Sequence, residues 1–133
     1  MQMLTATEIK DLLESELPKN YTVSVTPDGL VRVKTPFSYP DNKPIEVYVE
    51  PEWDQYVVGD RGKTRENFLK RTGKERLGDD EKGIGDDCTR RLSVDFILKG
   101  EVRSLPDDPS DLGPIIVETA GACHAIAATW ARR

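Results

Sequence analysis

Histidine occurs once in this chain, as His124, and cysteine twice, as Cys88 and Cys123. That scarcity excludes most metal and thiol chemistry at the outset. A structural zinc site asks for four ligands at recognisable spacing, and two distant cysteines with one histidine do not supply them. No disulfide framework is expected either, because 133 residues bury a core large enough to stand without one. So few cysteines suit a reducing, intracellular setting. Long apolar runs are lacking: none approaches the roughly 18 residues of a membrane span, and no basic segment followed by an apolar stretch marks the N-terminus. The sequence reads as a soluble, cytoplasmic protein with no membrane partner. Positive charge is not in excess, the formal net charge being −5, so long-range steering of nucleic acid is not expected of the chain as a whole.

What is present is an ordinary globular composition, 37% hydrophobic and 32% charged, which argues against global disorder. The length fits a single domain over 1–133. The charge is unevenly laid out. Residues 1–60 hold five basic and eleven acidic side chains. Residues 61–76 hold Arg61, Lys63, Arg65, Lys70, Arg71, Lys74 and Arg76 against Glu66 and Glu75, and residues 77–111 swing back with ten acids and five bases. A short basic segment between two acidic regions makes a dipolar surface.

Between Leu30 and Thr64 the apolar residues fall on every second position: Val31 and Val33, then Ile45, Val47 and Val49, then Tyr56 and Val58. Successive side chains on a strand point to opposite faces, so this alternation describes half-buried strands, with Pro, Asp, Asn and Gly clusters marking the turns. Tyr21, Val23 and Val25 add a strand before them, returning through a Thr26-Pro27-Asp28-Gly29 turn. The result is an antiparallel four-stranded meander with one wet face.

Helices flank it. Thr5 and Glu8 have capping-box spacing, Leu4 and Ile9 can staple the entry, and Ile9, Leu12, Leu13 and Leu17 recur at helical spacing until Pro18. A middle helix starts near Thr64 and runs to about Arg71, with Phe68 and Leu69 facing inward. From Thr72 to Asp87 no period survives, and the stretch reads as a mobile surface loop. Cys88 to Leu92 is read as a short helix. Val94, Phe96 and Leu98, then Gly100 and Val102 to Leu105, read as a C-terminal β-hairpin, with a helix through Ile84, Cys88, Leu92 and Phe96 as the rival. In the last helix, capped by Ser110 or Asp111, Leu112, Ile116, Ala120, Cys123, Ala127 and Trp130 share one stripe, and Arg132 and Arg133 complement the dipole. The fold expected is therefore α+β: meander plus hairpin, with N-terminal, middle and C-terminal helices.

Several of these residues carry a family resemblance. Thr35-Pro36-Phe37 after a strand, the Pro40-Asp41 turn, the Ile45 to Val49 strand and the Asp60, Gly62, Thr64 ending resemble a family of short, uncharacterised bacterial and phage domains of unknown function, met in mobile-element and defence neighbourhoods. The hairpin with Gly100, Glu101 and Val102 and the helix with Ala122, Cys123 and Ala125 are similar too. The resemblance implies the same order of elements and no established activity, and it does not extend to residues 79–87.

Candidate chemistry is sparse. His124 follows Cys123, and neighbours on a helix point about 100° apart, so one site cannot readily use both. Cys88 with His124 and an orienting Asp86, Asp87 or Glu118 is the one arrangement left to a cysteine-dependent enzyme, against a buried thiol and a hydrogen-bonded imidazole. The aspartate pairs lack the spacing of a calcium loop. Asp60 suits the backbone donors of a turn better than acid or base work. Asp60 to Thr64, DRGKT, looks like the end of a phosphate loop without its glycines. No cofactor or metal is called for. Arg65, Lys70, Arg71 and Lys74 can track phosphates, with Tyr48, Trp53, Phe37 and Tyr39 as stacking partners if they share a face; the rival is a solvated face paired with the acidic loop. The function expected is a non-enzymatic protein-interaction module of phage or mobile-element origin, acting on a host or defence protein. Its binding would use the wet sheet face with Tyr48 and Trp53, or the acidic Asp79, Asp80, Asp86 and Asp87. A nucleic-acid-binding accessory protein using 61–76 is the alternative, and the oligomeric state is left open.

Overall fold

Thr5 and Glu8 cap the first helix reciprocally, the Glu8 amide donating to Thr5 Oγ1 at 3.2 Å and the Thr5 amide to Glu8 Oε1 at 2.9 Å. The computed structural model describes residues 3–97 and 99–132. Leu98 and Arg133, which the sequence places in the C-terminal hairpin and at the end of the last helix, lie outside them. In chain order the elements are α1 (Ala6–Glu16), β1 (Thr22–Val25), β2 (Val31–Ser38), β3 (Pro44–Glu52), β4 (Gln55–Gly59), α2 (Lys63–Thr72), α3 (Asp79–Thr89), β5 (Asp95–Phe96), β6 (Val102–Ser104) and α4 (Leu112–Ala131).

The six strands form one antiparallel sheet in the order β1-β2-β3-β4-β6-β5, so the meander is present and the C-terminal hairpin extends it by laying β6 beside β4. That join needs Gly59: a Cβ there would stand 2.7 Å from the Val102 carbonyl oxygen. Pro36 sits where the β2–β3 register shifts, and the Thr35 hydroxyl fills the gap by donating to the Ile45 carbonyl at 2.8 Å and accepting from the Phe37 amide at 3.2 Å.

Helices cover one sheet face only. α1 packs on β1 and β2, and α4 lies against β2, β3, β4 and β6. The apolar stripe read from α4 is buried at all six positions. Leu112, Ile116 and Ala120 enter a core with α1 and β1–β4; Cys123, Ala127 and Trp130 enter a second one with α2, α3 and β6. Pro109–Ala131 also meets the length and composition of a membrane span, with 50% of its most apolar 18-residue window buried in the fold. Asp111 and Glu118 fall inside this stretch, so the sequence shows no uninterrupted apolar run of that length there. Asp111 precedes α4 without a side-chain cap; the single 3-10 turn before it is capped instead by Asp108, which accepts from the Ser110 amide at 2.9 Å.

The largest departure from the sequence reading lies in residues 72–87, where a mobile loop was expected and α3 stands over Asp79–Thr89. Asp79, Asp80 and Glu81 sit at its positive N-terminal end, and Glu81 Oε1 accepts from the Gly78 amide at 2.9 Å. Two distant contacts hold it: the Trp130 indole donates to the Glu81 carbonyl at 3.0 Å, and Gly85 lies so close to the Phe96 ring that a Cβ would meet it at 2.6 Å. The helix ends before Leu92, and Phe96 belongs to β5, which decides for the hairpin over the rival helix.

Candidate binding surface

The strands that bury Val31, Val33, Val47, Val49 and Val58 under α1 and α4 must turn their alternate residues the other way. Register sets these outward residues in rows, Thr22, Lys34 and Glu46 in one, Ser24, Arg32, Tyr48, Gly59 and Arg103 in the next, then Glu50 opposite Val57. Tyr48 is central. Its hydroxyl donates to Glu46 Oε1 at 3.2 Å, Arg32 reaches the same carboxylate at 3.7 Å, and the Arg61 guanidinium lies 5.9 Å from the Tyr48 ring centroid and 3.6 Å from Glu50. Partial burial, and then the Glu46 charge, hold the phenol above its ordinary pKa. Exposed ion pairs of this kind contribute about 0–1 kcal/mol each, so the lattice orders the face more than it stabilises the fold.

Tyr48 is also the shared wall of two hollows. One, of about 300 Å³, opens between the sheet and α2 and is lined by Lys43, Glu66 and Lys70 among others. The second, of about 260 Å³, lies between Tyr48, Glu50, Arg61 and Glu101. Gly59, opposite Tyr48 in the register, leaves the floor of the second one low.

The residues singled out from the sequence do not gather in one place. Tyr48 and Lys70 meet at the first hollow. Trp53 is 91% exposed at the β3–β4 turn with φ of 56°, a rare conformation for a bulky residue. It stands five residue steps along the chain from Tyr48, about 16 Å at strand rise. Arg65 faces away and donates through Nη1 to the Lys99 carbonyl at 2.6 Å. Arg71 and Lys74 lie over Phe68, 5.7 and 5.5 Å from its centroid, and Lys74 reaches Glu81 at 3.8 Å. Tyr39 is buried with its hydroxyl 3.0 Å from Thr64 Oγ1, and Phe37 packs on His124 on the helix side. The four aromatics therefore make no common stacking platform. Asp79, Asp80, Asp86 and Asp87 are exposed on α3, Asp87 pairing with Arg90 at 2.7 Å. Arg32, Glu46 and Glu50 are not singled out from the sequence as site residues, although their alternation with the buried valines is the signal that places them, and Arg61 enters there only as part of the basic segment 61–76.

Asp60 lies beneath this face, fully buried at the end of β4. Its Oδ1 accepts from the Gly62 amide at 2.9 Å and the Val102 amide at 3.0 Å, and its Oδ2 from the Thr64 amide at 3.1 Å. Burial raises its pKa against the pull of these bonds. Two residues in left-handed conformation, Arg61 at φ 55° and Gly62 at φ 75°, help wrap the loop onto that carboxylate. The turn reading of Asp60 thus holds, and the phosphate-loop likeness fails because the chain's own carboxylate takes the amides a phosphate would need.

Thiol chemistry finds no assembly. His124 Nδ1 is 3.4 Å from the Ser38 carbonyl, Glu118 accepts from the Ser93 amide at 2.6 Å, and Cys88 lies beside Thr129. These partners are separate, so no Cys88–His124 pair forms. Among the described residues no group of three His, Cys, Asp or Glu is placed to hold a metal ion. Burial pushes the Cys123 thiol well above its ordinary pKa, with the Asp60 charge adding to it, while partial burial and then Asp87 raise Cys88. A disulfide-exchange reagent at pH 7.5 is accordingly expected to label Cys88 slowly and Cys123 only after unfolding; two fast thiols in the folded protein would contradict the burial.

Comparison with protein-family models, with curated proteins and with solved structures finds no match to this chain. What fold and surface define by themselves is a two-layer α+β domain with one sheet face covered and one bare.

Proposed function

We propose that this is a non-enzymatic interaction module that takes a protein partner on its bare sheet face, around Tyr48. The observation that carries this reading is the asymmetry of the two layers. α1 and α4 cover the other face, α2 only borders this one, and the face they leave holds an arginine-clasped tyrosine set among alternating charges beside two hollows. Tyr and Arg are the residues on which binding energy concentrates, and mixed charge selects a partner by complementarity. The mobile-element and defence neighbourhoods of the domains this chain resembles make a host or defence protein the partner to seek, with the domain itself of phage or mobile-element origin.

A nucleic-acid partner is the weaker reading. The basic segment does not run as a strip: Arg61 pairs with Glu50, Lys63 with Glu66 and Lys74 with Glu81, while Arg65 turns to a backbone carbonyl. Cations already matched to carboxylates release few counterions from a phosphate backbone.

Immobilised protein and a Tyr48→Ala, Arg61→Ala double variant, compared in extracts of the source cells, test the proposal. The variant is expected to fold normally and lose about 30-fold or more in affinity for the captured protein, the size of a hot-spot deletion. Retention by the double variant would overturn it. Capture of nucleic acid, lost at high salt and on replacing Lys70, Arg71 and Lys74, would favour the other reading.

A further inference from the structure

On α2, Lys63, Glu66, Asn67 and Lys70 face the Tyr48 hollow, whereas Arg65 points elsewhere, into a second cluster. There a hollow of about 250 Å³ is lined by four cations from four parts of the chain. They are Arg65 of α2, Arg76 of the connection after it, Lys82 of α3 and Lys99 of the β5–β6 turn; Glu75 is the acid among the lining and Leu77 an apolar wall. In a chain with a net charge of −5, such a gathering is not accounted for by general charge balance. Among the described residues Arg76, Lys82 and Lys99 make no ion pair, as is also true of Lys19, Lys34, Lys70 and Arg71; what sets the three apart is that they line one hollow together with Arg65.

Arg65 is held in place. Gly100, at φ 83°, lets its stem pass so close that a Cβ there would stand 2.9 Å from Arg65 Cδ and 2.9 Å from Leu77 Cδ1. Its Nη1 is bound to the Lys99 carbonyl, yet its Nε is buried without an acceptor. A buried guanidinium N–H left unpaired is costly, and it marks a position where an acceptor is missing.

We propose that this hollow binds a small ligand through a diphosphate group. An oxyanion seated among the three unpaired cations neutralises them, and a turn of the Arg65 guanidinium within the hollow would bring Nε and a neighbouring N–H onto it as a two-pronged contact. The volume lies just below the range of whole-ligand pockets, about 300–1,000 Å³, which suits a pair of phosphates with the rest of the molecule projecting outward past Leu77. A nucleic-acid backbone fits less well, since it presents single phosphates along a track and these cations line one small hollow.

The test is an amide-resolved NMR titration of the whole chain with inorganic pyrophosphate, then a nucleoside diphosphate, then a single-stranded oligonucleotide, with sulfate at equal ionic strength as control. Pyrophosphate is expected to saturate with Kd below about 1 mM, shifting the amides of Arg76, Lys82 and Lys99. Lys82→Ala with Lys99→Ala, both exposed positions, should weaken it at least tenfold while Lys19→Ala, exposed and remote from the hollow, leaves it unchanged. Tighter binding of the nucleoside diphosphate, or equal binding of the two, both support the site and tell whether the group beyond the phosphates is read. Non-saturable shifts, the same shifts with sulfate, binding indifferent to the double variant, or an oligonucleotide that saturates these residues where pyrophosphate does not, would each overturn it.

Discussion

Replacing Asp60 with alanine is expected to cost about 3–5 kcal/mol of folding free energy, the range for deleting one side of a buried charged contact. The carboxylate collects amides from three places at once: the loop after β4, the first turn of α2, and β6 some forty residues later in the chain. α2 has no side-chain cap of its own, its N-cap being Gly62, so Asp60 does that work from inside the fold. Alanine leaves the Thr64 and Val102 amides buried without acceptors and opens space beside Cys123. Urea unfolding checks this, as a fall in midpoint with an unchanged slope. Asp60→Asn, which keeps one acceptor oxygen but points an NH₂ group at amide donors, is expected to fall between the two. An alanine variant within 1 kcal/mol of the parent would mean that water or a shift of β6 replaces the carboxylate, and the account of how β6 is held would be wrong.

The second large effect is expected at Trp130. The indole fills the space between α2, α3 and β5, its ring centroid 4.9 Å from that of Phe68 and 6.2 Å from that of Phe96, and it gives α3 the bond to the Glu81 carbonyl. Trp130→Ala removes the filling and the bond together, for about 3–5 kcal/mol. The loss is not expected to spread evenly. α3 carries two glycines and is held mainly from outside, so hydrogen exchange over residues 79–89 should rise far more than in β2 and β3. Trp130→Phe restores most of the volume but not the donor and should remain about 1–2 kcal/mol below the parent. Equal loosening of α3 and the meander would show that the two cores are one cooperative unit.

How far the fold was legible follows from which contacts are local. The alternation of Val31, Val33, Val47 and Val49 and the stripe from Leu112 to Trp130 state their own geometry, because a period of two or of 3.6 needs no partner to be recognised. α3 was illegible for the opposite reason. Its own residues have weak helix propensity, and what makes it a helix is Trp130, 49 residues away, and Phe96 against Gly85. The binding surface divides in the same way. Tyr48 could be placed on the wet face from the strand pattern, and Asp60 in its turn, but not the reach of Asp60 to Val102, nor the pairing of Arg61 with Glu50 across the sheet. A run of seven basic residues looks like one patch on paper; the helix and turn it folds into send Lys70, Arg65 and Lys74 in three directions.

α4 fills both halves of the interior, Leu112 to Ala120 in one and Cys123 to Trp130 in the other. During synthesis the earlier strands must therefore wait, with their valines uncovered, until residues 112–131 have cleared the ribosome. Until then only α1 shields the meander, at its β1–β2 end, and a premature stop anywhere upstream of α4 leaves β3 and β4 without the helix that closes over them.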